Sequence, residues 1–187
     1  MQIKHPQIGI CGLSCRLCPS FHAQGESKCG GCKSKYRMAA GCPFITCAVK
    51  RKGIEFCWEC DENETCERWR MHREFSHQYD TFVCYQRLED NIAFILQNGV
   101  KAFAKTQRAR EQLLCEMLDG FNEGRSKTFC SIAATVMETA ELKTALSQAK
   151  KASAGMEVKE RSKLLHSLLD QVAESKRYPL KLRKYKH

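Results

Sequence analysis

The chain has 187 residues, with 31 Lys and Arg against 21 Asp and Glu, a formal charge of +10 and 43% apolar residues, enough for one ordinary domain or two small ones with a modest core. No stretch approaches the roughly 18 uninterrupted apolar residues of a membrane helix. The opening MQIKHPQIGICGL lacks the apolar region and cleavage site of a secretory signal, so a cytoplasmic protein without membrane attachment is expected.

In a reducing compartment the 13 cysteines read as metal ligands or redox groups rather than as a disulfide framework, and their odd number excludes complete internal pairing. Ten of them (Cys11, Cys15, Cys18, Cys29, Cys32, Cys42, Cys47, Cys57, Cys60 and Cys66) fall within residues 1–66. Short pieces such as KCGGCKS and AAGCPF carry no apolar period long enough for a core. Metal coordination is the usual substitute for packing in such a segment.

Three Cys-x2-Cys pairs occur: Cys15 with Cys18, Cys29 with Cys32, and Cys57 with Cys60. One such turn supplies two thiolates to a tetrahedral zinc ion and a second turn completes the shell. The spacing therefore predicts one closed structural zinc site from Cys15, Cys18, Cys29 and Cys32. A second is drawn from Cys47, Cys57, Cys60 and Cys66, giving two Zn2+ ions and leaving Cys11 and Cys42 over. A [4Fe-4S] cluster is the alternative. Cys11-x3-Cys15-x2-Cys18 has the spacing of the triplet in radical S-adenosylmethionine enzymes, and Cys18-Pro19 and Cys42-Pro43 resemble the Cys-Pro ending of bacterial ferredoxin motifs. The chain lacks the length and strand–helix alternation of the radical enzymes' barrel.

Cys57-x2-Cys60-x11-His72-x4-His77 lies close to a nucleic-acid-binding zinc finger. Glu64 and Arg70 stand where a finger needs apolar residues, so His72 and His77 are expected to be ordinary polar residues near a helix end. A helix starts at Thr65 as cap, with Glu67 in its first turn.

Leu88, Ile92, Ile95 and Leu96 form one helical face that stops near Asn98 and Gly99. Val100 and Phe103, then Leu113, Leu114, Met117, Leu118 and Phe121, continue at helical spacing. DGFNEGRSK is a loop. Phe129, Ile132, Ala133, Val136 and Met137 repeat the pattern, as do Leu142, Ala145, Leu146 and Ala149. Leu164, Leu165, Leu168, Leu169 and Val172 mark a last amphipathic helix after Gly155. The expected fold is mainly α: a small irregular cysteine-rich metal-binding module (1–66) packed on an antiparallel helical bundle (67–175), with a basic tail (176–187).

CGLSCRLCP, KCGGCKS, CPFITCAVKRKGIEFCWEC and CERW together resemble a prokaryotic cysteine-rich domain of unknown function whose members begin Cys-Gly-Leu-x-Cys-x-x-Cys-Pro. TFVCYQRLEDNIAFILQNGVKAFAKTQ is similar to that family's closing helical segment, in which a Gly-Val pair joins two helices, so the resemblance spans about residues 8–107. It implies a metal-binding cysteine module and assigns no activity.

The tail KRYPLKLRKYKH offers basic groups to phosphates and Tyr178 or Tyr185 to a base, the alternative being an end that closes over the bundle through Leu180 and Leu182. Ser126, flanked by Arg125 and Lys127, reads as an ordinary helix cap in a surface loop, or else as an anion site. Cys115 and Cys130 are expected to be buried structural residues, and Cys84 is unassigned. No GxSxG, HExxH, phosphate-binding glycine loop or dinucleotide fingerprint occurs. The sequence thus favours binding of a macromolecular partner over catalysis.

Overall fold

The computed structural model describes residues 2–25, 28–35, 37 and 42–185. It is mainly helical. Five helices form the larger part: α1 (Glu67–Gln78), α2 (Leu88–Phe121), α3 (Lys127–Val136), α4 (Thr139–Ala152) and α5 (Val158–Lys176). The cap of α1 is Cys66 rather than Thr65, whose hydroxyl bonds back to the Glu62 carbonyl. The stop expected near Gly99 is a break inside α2, where Gly99 adopts φ 82° and ψ 159°, a conformation disfavoured for residues with a Cβ. The two halves of α2 thus meet at a glycine. Among the described residues no helix is long and apolar enough to cross a membrane.

The bundle core is built from the predicted stripes. Leu114, Met117, Met137, Leu142, Leu165 and Leu169 are fully buried, each contributing about 1.5–3 kcal/mol relative to exposure. Cys130 lies among them without exposure, whereas Cys115 is only half buried. Leu96 departs from expectation and is 66% exposed, because Leu88, Ile92 and Ile95 take the centre of the buried face and leave it at the edge.

The cysteine-rich segment is short turns. Cys15–Leu17 and Cys57–Glu59 are single 3-10 turns, and Pro43–Ile45 leads into a π-helical turn over Thr46–Lys52. Contrary to the expectation that this segment lacks apolar packing, Ile10, Ile45 and Ala48 form a small cluster of their own. The remaining apolar residues are shared with the helices: Leu17 enters the bundle core, Ile8 and Phe56 pack with Ile95 and Phe103, and Leu13 packs with Trp69, Leu88 and Ile92. Gly12 makes the close approach. It has φ +88°, and a Cβ there would lie 3.0 Å from Ile92 and 3.2 Å from Trp58. Asn91 donates to the Gly12 carbonyl and Arg16 pairs with Glu111, so polar contacts follow the same seam.

The basic tail closes back over the molecule. Leu180 is buried, and Tyr178 and Leu182 pack on the bundle core. The anchor is Arg183, whose guanidinium donates to both carboxylate oxygens of Asp80 at 3.0 Å and to the carbonyls of Ser76 and His77. Asp80 also accepts the backbone N–H groups of Arg183 and Tyr85. Burial alone would raise the Asp80 carboxyl, but the Arg183 guanidinium and these N–H groups hold it below its ordinary value. Because the folded value lies below the unfolded one, the stabilisation is complete above about pH 4 and is lost as pH falls through the folded value. Asp80→Asn should lower the free energy of unfolding by about 2–3 kcal/mol at neutral pH. In urea titrations at several pH values, its deficit against the wild type should shrink in acid.

Candidate metal centre

The Cys-x2-Cys turns have local causes. In Cys15–Cys18 the Cys18 N–H donates to the Cys15 carbonyl, and in Cys57–Cys60 the Cys60 N–H donates to the Cys57 carbonyl. Cys18 and Cys60 share one backbone conformation, φ −80° with ψ 131° and 133°. Each turn continues alike, with the Phe21 N–H on Cys18 and the Asn63 N–H on Cys60. Cys29 and Cys32 flank a glycine pair in which Gly31, at φ +103°, passes so close to Pro6 that a Cβ would lie 2.8 Å from its carbonyl oxygen.

The thiols are linked by hydrogen bonds and by electrostatic coupling. The Cys32 N–H donates to the Cys15 sulfur at 3.2 Å. Arg37 hydrogen-bonds Cys29 and stands within electrostatic reach of Cys32 and Cys18. Cys57 is coupled electrostatically to Cys11, Cys66, Cys47 and Cys60, while Lys52 hydrogen-bonds both Glu62 and Cys60. Cys11 is coupled electrostatically to Cys32 and Cys42 and also to Cys57. None of the thirteen cysteines is in a disulfide. Among the described residues, no group of three or more His, Cys, Asp or Glu side chains is disposed to hold a metal ion.

The electrostatics differ from thiol to thiol. Burial, followed by the charge of Cys32, pushes Cys11 up to about 12, and burial, followed by Cys11, does the same for Cys57. Cys15 goes the other way. It accepts hydrogen bonds from the Cys32 side chain and N–H, which together outweigh its burial, and Cys32 as the donor moves up. Cys15 is thus the more acidic thiol of that pair.

Arg37 and Lys52 were not evident from sequence, since neither KSKYRM nor AVKRKG singles out one cation. A further clasp was also hidden. Lys33 is buried with its ammonium 2.9 Å from Glu55 and 3.9 Å from the centre of the Phe56 ring. Glu55 in turn accepts the backbone N–H groups of Lys4 and His5. Burial acts to raise the Glu55 carboxyl, but Lys33 and these amides hold it below its usual range.

The other sequence candidates lie elsewhere. His72 is not an ordinary polar residue near a helix end: it sits within α1 among Phe44, Trp69 and Tyr85, and burial lowers its basicity. His77 occupies the last turn of α1. Ser126 is 1% exposed, and its hydroxyl, rather than capping α3, meets Glu123 at 2.5 Å, His166 at 2.8 Å and Ser162 at 2.9 Å. Glu123 is held down to about 2 by the Ser126 and Ser162 hydroxyls, so the chain's own carboxylate fills that corner. Cys84 is buried against the bundle core.

Glu55→Gln should destabilise the protein by about 3 kcal/mol, because it strands a buried ammonium. The double variant Lys33→Met with Glu55→Gln should recover most of that loss in chemical denaturation.

No curated protein and no solved structure matches the chain. One family model does, over residues 7–71, ending short of the 8–107 span of the resemblance. It covers the cysteine-rich turns and the start of α1. Residues 7–71 thus match the family described as protein of unknown function (DUF3795).

Proposed function

We propose that residues 7–66 are a metal-binding module stabilised by structural zinc, and that the chain acts in the cytoplasm as a binding module for a macromolecular partner rather than as an enzyme. The observation that carries this reading is the pair of like Cys-x2-Cys turns, each with further thiols in its neighbourhood and a cation against one of its group's sulfurs. The donor set suits zinc, which takes four thiolates. Cys15, Cys18, Cys29 and Cys32 would hold one ion, and Cys47, Cys57, Cys60 and Cys66 the other. A bound dication favours deprotonated thiols, and Arg37 and Lys52 offset the net negative charge of a tetrathiolate site. The role of the ions would be to tie turns whose own apolar cluster is small.

A second reading is an iron–sulfur cluster on Cys11, Cys15 and Cys18. It is favoured by the placement of Cys11 and Cys18 as electrostatic neighbours of Cys15. Anaerobic purification followed by elemental analysis and a visible spectrum separates the two: a colourless protein with about two zinc ions per chain is expected, and a brown protein carrying iron and sulfide would replace zinc by the cluster. Cys29→Ser should lose zinc and unfold the module, since structural sites supply about 10 kcal/mol or more.

For the partner, nucleic acid is the narrower proposal. Lys181, Lys184 and Tyr185 are exposed, whereas Arg183 is engaged with Asp80. Binding to a generic RNA over a salt series should weaken steeply with salt, and no affinity at low salt would remove this partner.

A further inference from the structure

A cavity of about 290 Å3 lies where the Cys15–Leu17 turn, both halves of α2, α3 and the tail meet, just below the roughly 300–1,000 Å3 range of ligand sites. Its walls divide by chemistry. Leu13, Leu17, Phe94, Phe103 and Ile132 give it apolar surface, while Arg87, Gln107, Arg110 and Thr135 bring polar groups to the same space.

On the polar side the buried charge is a cation. The Arg110 side chain is only 11% exposed. Its Nη1 donates to the carbonyls of Ala134 and Met137, at 3.0 and 2.5 Å, whereas its Nη2 stands 3.8 Å from Glu138. Arg87 approaches the other oxygen of Glu138 at 3.6 Å. Arg87 is also paired with Asp90 at 3.1 Å, so two guanidiniums meet two carboxylates here, and both stand from Glu138 at distances beyond a good hydrogen bond. The acids, Glu138 and Asp90, have side chains 57% and 61% exposed, so water screens them more than it screens Arg110. Ser14 and Ser131, also lining the cavity, have buried hydroxyl oxygens with no hydrogen-bond partner among the described residues, a costly state that a bound acceptor or donor would relieve.

We propose that this cavity binds a small monocarboxylate with an apolar body about the size of one ring, its carboxylate on Arg110 and Arg87 and its body against Leu17, Phe94, Phe103 and Ile132. The buried Arg110 guanidinium disfavours cations. Planar, forked donors match a carboxylate in geometry as well as charge. Leu17 belongs to the Cys15–Cys18 turn, so occupancy would join the cysteine module to the bundle; the site does not depend on which metal, if any, the module holds.

Benzoate is the probe, titrated into the purified full chain to millimolar concentration, with NMR shifts of Leu17, Ile132 and Thr135 as readout and benzyl alcohol and benzylamine as matched controls. Saturable benzoate shifts at these residues are expected, with the two controls at least about tenfold weaker. Arg87→Gln, at the more exposed guanidinium, should weaken benzoate about tenfold with the fold retained. Should that variant fail to fold, Thr106→Leu, which narrows the cavity, should abolish the shifts. Absence of shifts at these residues, equal binding of the alcohol or amine, or undiminished affinity in a folded variant would overturn the proposal.

Discussion

Helix α2 is the element to which both parts of the protein are fastened. Its first half presents Leu88, Ile92 and Ile95 to the cysteine-rich turns, and its second half presents Leu114, Met117 and Phe121 to the bundle. A helix carrying two apolar faces on either side of a glycine break can serve two cores at once, which is why the turns need only a minor cluster of their own. Hydrophobic burial thus sets where the module sits. It leaves to other forces the task of fixing how its turns are shaped.

Those forces are electrostatic and local. Buried thiols resist ionisation, and neighbouring sulfurs add to the effect, as the raised Cys11 and Cys57 show, whereas Cys15 goes the other way because neighbouring donors bond to it. Cations stand against two other thiols: Arg37 at Cys29 and Lys52 at Cys60. Lys33 and Glu55 play a different part. They tie the Cys29–Cys32 loop to the chain just before Cys57 through a buried pair whose geometry also fixes residues 4 and 5.

The helices were legible in sequence because apolar periodicity is a local signal, and residues such as Leu114, Leu142 and Leu169 fall inside as their spacing requires. The Cys-x2-Cys turns were legible for the same reason. What escaped was nonlocal or depended on side-chain direction. Nothing near Ser126 announces Ser162 and His166, which come from another helix. The aromatic setting of His72 depends on Phe44 and Tyr85, each far along the chain. Leu96 fits the stripe by spacing and misses it by a fraction of a turn.

The tail's latch has a consequence for biosynthesis. Asp80 and Arg183 are 103 positions apart, so at about 5–20 residues per second the ribosome emits the acid roughly 5 to 20 s before its counterion. Through that interval the nascent segment around Asp80 keeps a hydrated carboxylate, and the surface later covered by Leu180 stands open to chaperones.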